Sequence, residues 1–250
     1  MISLKQILDG KLFIIPLNQR GYAWQKENLK DLYKDIQNIQ KEQNHFTGTI
    51  IWTDKKDPTE DISSSPYNKY IIEDGQQRIT TLYIFLICLY KALNKYKSKK
   101  DAGISLNNLE NIIFFVPAQN KKKLLIINED KRIDSYMEFL FLDKGSDPSQ
   151  KSPTMRNLKI AYDFFYEELK TLSLKDLLEI NGKILNKLYF TKVDLSANKI
   201  NRYITFDTIN SRGLRLSDFD KIKNLSMLIS QKHKFVSEEY IANEWFAALS

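Results

Sequence analysis

The stretch that most constrains this chain is YIIEDGQQRITTLYIFL, Tyr70 to Leu86, together with the apolar run that continues to Leu93. A β-branched segment meets an acid–glycine turn, two amides and an arginine, and then a helix that is apolar on every side. Such a helix must be surrounded by other elements, because any face left in water would forfeit its burial energy. The run Ile79–Leu93 is interrupted by Thr80, Thr81 and Lys91. It is shorter than the ~20 residues a membrane span needs, so the sequence predicts a core helix over about Gln76–Lys95 and no membrane partner.

The flanking periodicity supplies elements to enclose it. SLKQILDG reads as a short helix, with Ser3 and Gln6 at capping-box spacing and Gly10 at the stop. KLFIIP is extended up to Pro16, and Glu27–Gln40 is an amphipathic helix. HFTGTIIWT and NKYIIE read as strands around a surface loop, and NIIFFVP and KLLIIN as paired strands across the basic turn AQNKKK. Beyond Glu129 the three-and-four spacing of DSYMEFLFLD, MRNLKIAYDFFYEELKTL and LKDLLEINGKIL predicts helices. LYFTKVDL is one more strand, and KINRYITFDTIN, SDFDKIKNLSMLIS and SEEYIANEWFAAL are helices. The fold class is therefore α/β (α+β): an α/β part over 1–142, a candidate linker at Asp143–Pro153, and a mostly helical region over 154–250. The last segment has no stop signal after Leu249, and the polypeptide is expected to continue beyond Ser250.

Composition narrows the class. With 42% hydrophobic and 28% charged residues, the 250-residue chain is globular rather than disordered. The single cysteine, Cys88, falls in the apolar run, which excludes an internal disulfide scaffold and fits a reducing, cytoplasmic setting. Met1–Gly10 does not read as a secretory signal. A net charge of +7 suits a polyanionic partner such as DNA, although Lys95–Lys100 and Lys121–Lys123 read as simply as solvated loops or helix ends.

A strand, an Asp-Gly turn and a helix form a phosphate-binding geometry, because the first helical N–H groups lack intrahelical partners and the dipole is positive there. Arg78 in the first turn opposes that dipole unless an anion docks. Gln76 and Gln77 offer donors and acceptors to phosphate oxygens, metal-bound water or a base edge, and Thr80 and Thr81 add hydroxyls. The structural alternative has Asp74 capping the helix and Arg78 paired with it. No P-loop occurs. NQRGYAW groups Gln19, Arg20, Tyr22 and Trp24, a planar cation beside two faces on which a base could stack, or a cation–π pair closing a small core. In FDTINSRGLRLSDFDKIKN a helix stop at Gly213 and a capping box of Ser217 and Asp220 leave Asn210, Arg212 and Lys223 without a packing role.

Taken in order, PLNQRGYAW, HFTGTIIW, IIEDGQQRITTL and FDTINSRGLRLSDFDKIKN resemble the motifs of the GmrSD-type restriction endonuclease N-terminal domain, over about Ile2–Asn224. The resemblance implies a small mixed-sheet core of partition-protein/sulfiredoxin type followed by helices, nucleoside-triphosphate binding and hydrolysis, and prokaryotic defence against foreign DNA. It implies that Asp74, Gly75, Gln76, Gln77 and Arg78 handle the nucleotide, with Asp74 placing Mg²⁺ or the attacking water and Gln76 or Gln77 positioning that water. Gln19, Arg20, Tyr22 and Trp24 follow as the partner loop, Thr80 and Thr81 as neighbouring hydroxyls, and Asn210, Arg212, Gly213, Asp220 and Lys223 as a downstream motif. Complete members often add an HNH-type nuclease module. The two histidines here, His45 and His233, have no such context. A nucleotide- or DNA-gated module that binds without hydrolysis is the competing class, and a nuclease in its own right has less support.

Overall fold

The computed structural model describes residues 1–55, 67–115, 122–149, 151–196, 218–233 and 236–249. In chain order these form β1 (Ile2–Ser3), α1 (Leu4–Leu8), β2 (Lys11–Ile15), α2 (Lys26–Asn38), β3 (His45–Asp54), β4 (Asn68–Asp74) and α3 (Gln76–Leu93). There follow α4 (Lys100–Ile113), β5 (Phe114–Phe115), β6 (Lys123–Leu124), β7 (Ile126–Asn128), α5 (Lys131–Leu142) and α6 (Pro153–Lys170). The last are α7 (Leu174–Lys187), β8 (Leu188–Asp194), α8 (Asp218–His233) and α9 (Glu238–Leu249). No helix among the described residues is long and apolar enough to cross a membrane.

Local chemistry explains most boundaries. The capping box at Ser3 forms as the spacing predicts, with Gln6 Oε1 accepting from Ser3 N at 2.9 Å. Ser152 and Ser173 cap α6 and α7 through their side chains, and Pro153 occupies the first turn of α6, where its missing N–H costs nothing.

The main sheet is mixed, in the order β1-β8-β3-β4-β2-β7. Pairs β1–β8 and β3–β4 are antiparallel, while β8–β3, β4–β2 and β2–β7 are parallel. Strand β8, from the C-terminal half of the sequence, therefore lies between β1 and β3, with Thr49 opposite Thr191 and Trp52 opposite Asp194. The fold is α+β, as the sequence predicts.

Helix α3 is the hub of the core. It packs against α4, α6 and α7, and from Ile79 to Leu93 only Tyr90 and Lys91 escape full burial. Phe85 meets Phe165 of α6 at 4.9 Å between ring centroids, and Cys88 Sγ approaches Tyr162 O at 3.5 Å. Tyr83 bridges α4 to the sheet, donating to Ile113 O and accepting from Leu125 N at 2.8 Å. A separate small cluster of Met227, Ile241 and Ala242, joined by Leu17, Leu228 and Trp245, holds α8 and α9 to the body.

One stretch departs from the sequence reading. Asn111–Ile113, expected to be extended, ends α4, whose buried Ala102, Leu106, Leu109 and Ile113 lie on one helical face. The β-branched pair at its end imitates a strand, and the Asn-rich middle hides the helical period. KLLIIN is divided: Lys123–Leu124 pairs with Phe114–Phe115, whereas Ile126–Asn128 joins β2 in the main sheet. The helix expected over KINRYITFDTIN lies outside the described residues.

Candidate functional site

The strand–helix junction is built on glycine. Gly75 is the N-cap of α3 with φ +91°, a left-handed conformation that side chains rarely adopt. A Cβ there would also come within 3.0 Å of Thr49 O, so the turn lies directly on β3. Asp74 is the last residue of β4 and does not cap the helix, because no side chain accepts from the first turn. Nor does Arg78 pair with it: among the described residues neither Asp74 nor Arg78 takes part in an ion pair. The half-buried Arg78 guanidinium lies instead over Gly48, which has φ +131° beside a register shift in β3. Its nearest acceptor is Thr49 O at 3.5 Å, too far for a strong hydrogen bond.

Three glutamines clasp the loop between β2 and α2 onto this junction. Gln19 Nε2 donates to Glu73 O at 2.9 Å, and Gln76 Nε2 donates to Arg20 O at 2.9 Å. Gln77 works at both ends, donating from Nε2 to Gly21 O at 3.1 Å and accepting from Ala23 N at 2.8 Å. Thr81 Oγ1 donates to Gln77 O at 2.7 Å, which leaves it as the acceptor for the Tyr22 hydroxyl, also at 2.7 Å. Tyr22 is 2% exposed, and burial pushes its phenol well above the usual range. Its ring, expected to offer a stacking face, is a wall of the core that no base can reach. Trp24 is half-buried against the same core. Thr80 Oγ1, Gln76 Oε1 and both amide atoms of Asn18 are buried without a hydrogen-bond partner.

On the other side of the loop is a cavity of about 120 Å³. Arg20, Lys223, Thr154 and Asp130 line its polar part, and Ile133 and Trp245 belong to its apolar part. Lys223, from α8, donates to Gln19 O at 3.3 Å. The nearby acids are occupied: Asp130 is held by Arg132 at 3.0 Å, and Glu129 pairs with Lys55 at 3.7 Å and accepts from Leu17 N at 3.2 Å. Arg20, half-buried, has no ion pair among the described residues.

The structure thus brings Gln19, Arg20, Gly75, Gln76, Gln77 and Lys223 to one junction. Asn210, Arg212 and Gly213 lie outside the described residues, and Asp220 is in the first turn of α8. Among the described residues no group of three His, Cys, Asp or Glu side chains is placed to hold a metal ion. His45 lies 3.6 Å from Asp35, away from the junction motifs in sequence. Gly48 and Thr154 carry no chemical signal in isolation. Gly48 lies within HFTGTIIW, where a glycine in a strand marks a bulge or a close approach. Thr154 Oγ1 occupies the space a Cβ on Gly21 would need.

No curated protein matches the chain. The model of the GmrSD restriction endonuclease, N-terminal domain, matches residues 4–227 of the 250, and the chain belongs to that family.

Proposed function

We propose that this chain is the nucleoside-triphosphate-binding and hydrolysing module of a restriction protein directed against foreign DNA, modified DNA included. The observation that carries the reading is that Arg20 and Arg78, both half-buried and both at this junction, have no carboxylate partner among the described residues. A cation partly removed from water is costly until an anion reaches it, and a guanidinium fork suits phosphate. Arg20 and Arg78 bind phosphate oxygens, with the first-turn amides of α3 behind Gly75. Gln19, Gln76 and Gln77 act as positioning residues that hold the Arg20 loop. Trp24, Asn210, Arg212 and Lys223 complete the surroundings.

Asp74, one carboxylate without an ion pair among the described residues, suits Mg²⁺, which takes one or two carboxylates and fills its shell with water and substrate phosphates. When bound there the ion would neutralise charge on the phosphate oxygens. Catalysis by this chain is then mainly clamping and placement, as phosphoryl transfer requires. DNA cleavage falls to a separate or tethered HNH-type module. The module works in the cytoplasm, where foreign DNA arrives.

Phosphate release should be measured with each nucleoside triphosphate, with and without DNA. Asp74→Ala and Arg78→Ala are expected to abolish turnover, and unchanged turnover in both sinks the catalytic assignment. A second reading, a nucleotide-gated switch that binds without hydrolysis, is favoured by the amides. Both ends of Gln77 and the donor end of Gln76 are committed to the loop, which leaves less to hold an attacking water. Calorimetric binding with no phosphate release over hours decides for it.

A further inference from the structure

We infer that the cavity between the Ile15–Gly21 segment and the α8–α9 pair takes a phosphate-sized oxyanion, gripped by Arg20 from the loop and Lys223 from α8. The inference rests on the proposed function only in sharing Arg20, and it adds a ligand to a different wall of the loop from Arg78.

Size sets the first limit. A cavity of about 120 Å³ matches the volume of roughly four waters and falls below the roughly 300 Å³ at which whole-ligand pockets begin. It admits one compact group rather than an entire nucleotide. Charge sets the second. Two cations face it, while Asp130 is neutralised by two hydrogen bonds from the Arg132 guanidinium, at 3.1 and 3.0 Å. The net field is positive, and the Thr154 hydroxyl offers a further donor at the rim. An oxyanion with several oxygens meets those donors together, whereas a neutral or cationic group would leave Arg20 uncompensated.

The position of the cavity gives its occupant a consequence. Helices α8 and α9 are attached through the small Met227 cluster, the Lys223–Gln19 contact, the Arg132–Ala242 O bond at 3.3 Å and the exposed Lys131–Glu239 pair. An anion bridging Arg20 and Lys223 adds a charged tie at that seam and firms the seating of α8 and α9. Trp245, on α9 and outside the span that matches the family, lines the cavity and reports on it.

The test uses the 250-residue chain, with tryptophan fluorescence and calorimetry in parallel. The probes are inorganic phosphate, pyrophosphate, each nucleoside triphosphate, and a DNA oligonucleotide with and without a 5′-phosphate. At least one phosphate-bearing probe is expected to bind and change the fluorescence, and Trp245→Phe to remove that change while binding persists. Lys223→Met keeps the aliphatic stem and is expected to weaken binding by about tenfold or more, the scale of one charge-assisted hydrogen bond, with Lys223→Arg recovering most of it. The responding probe identifies the source as a nucleotide, a DNA end or free phosphate. Absence of binding by every probe overturns the inference, as does binding that Lys223→Met leaves unchanged. Triphosphate binding lost in Arg78→Ala but indifferent to Lys223→Met overturns this inference and leaves the proposed function standing. Lys223-dependent binding of phosphate or a 5′-phosphate end, with no triphosphate bound or hydrolysed, does the reverse.

Discussion

The Arg78 guanidinium lies directly over the α-carbon of Gly48: a Cβ built on that glycine would come 2.9 Å from Arg78 Cζ. Gly48 also has φ +131°, so a side chain there is strained whatever space it finds. Gly48→Ala is expected to cost about 1–3 kcal/mol and to push the guanidinium off its seat. Thermal unfolding and triphosphate titration check both effects. Parental stability together with parental affinity would show that Gly48 does not set the position of Arg78.

Gln77 connects α3 to the loop through two bonds, to Gly21 O and Ala23 N. Gln77→Ala leaves both backbone groups without that partner, and a loss of about 1–3 kcal/mol is expected. Gln77→Glu keeps an acceptor for Ala23 N but turns a second acceptor toward Gly21 O, so it should restore only part of the loss. Amide exchange at Ala23 is the direct readout: it should quicken in Gln77→Ala and slow again, partly, in Gln77→Glu.

Asp134 supplies a pH dependence. Burial raises its carboxyl above the usual value, the Asn128 N–H at 2.9 Å pulls it down in part, and Glu138 raises it further. A raised carboxyl binds its proton more readily in the native state than in the unfolded chain. Its contribution to stability is therefore present at low pH and declines as pH rises through the native value. Asp134→Asn retains an acceptor for Asn128 N–H, and its melting temperature at neutral pH should equal or exceed that of the parent. The gap should close on acidification toward the unfolded value near ~4. A neutral-pH melting temperature below the parent's, persisting in acid, would mean that packing dominates instead.

Cys88 is buried in α3, and desolvation pushes its thiol far above the usual range. A thiolate-directed reagent is expected to label it only after denaturation, with the native rate suppressed by orders of magnitude. Prompt native labelling would reveal an opening of the α3–α6 seam.

The features written into the sequence are local ones. Apolarity on every side of Ile79–Leu93 required a helix enclosed by others, and the structure packs α4, α6 and α7 around it. The Ser3–Gln6 spacing, the stop before Pro16 and the Asp-Gly turn each follow from the chemistry of a few neighbouring residues. Gly75 was legible for the same reason, since a strand turning into a helix at an Asp-Gly step needs a residue tolerant of positive φ.

Where two distant segments meet depends on tertiary packing. Nothing in LYFTKVDL states that it inserts between β1 and β3, because any strand with that alternation could join any open edge. The tie from Gln77 to Gly21 and Ala23 spans more than fifty residues, and the choice between an Arg78–Asp74 pair and an Arg78–Gly48 contact turned on where β3 came to lie. The sequence by itself determined an enclosed helix with polar residues and an arginine at its mouth, because helical period and turn chemistry act within a few residues. Only the tertiary structure decided that the amides bind a loop while the arginines are left to an anion, because hydrogen-bond partners and ion pairs are set by the neighbours that folding brings within about 3–4 Å.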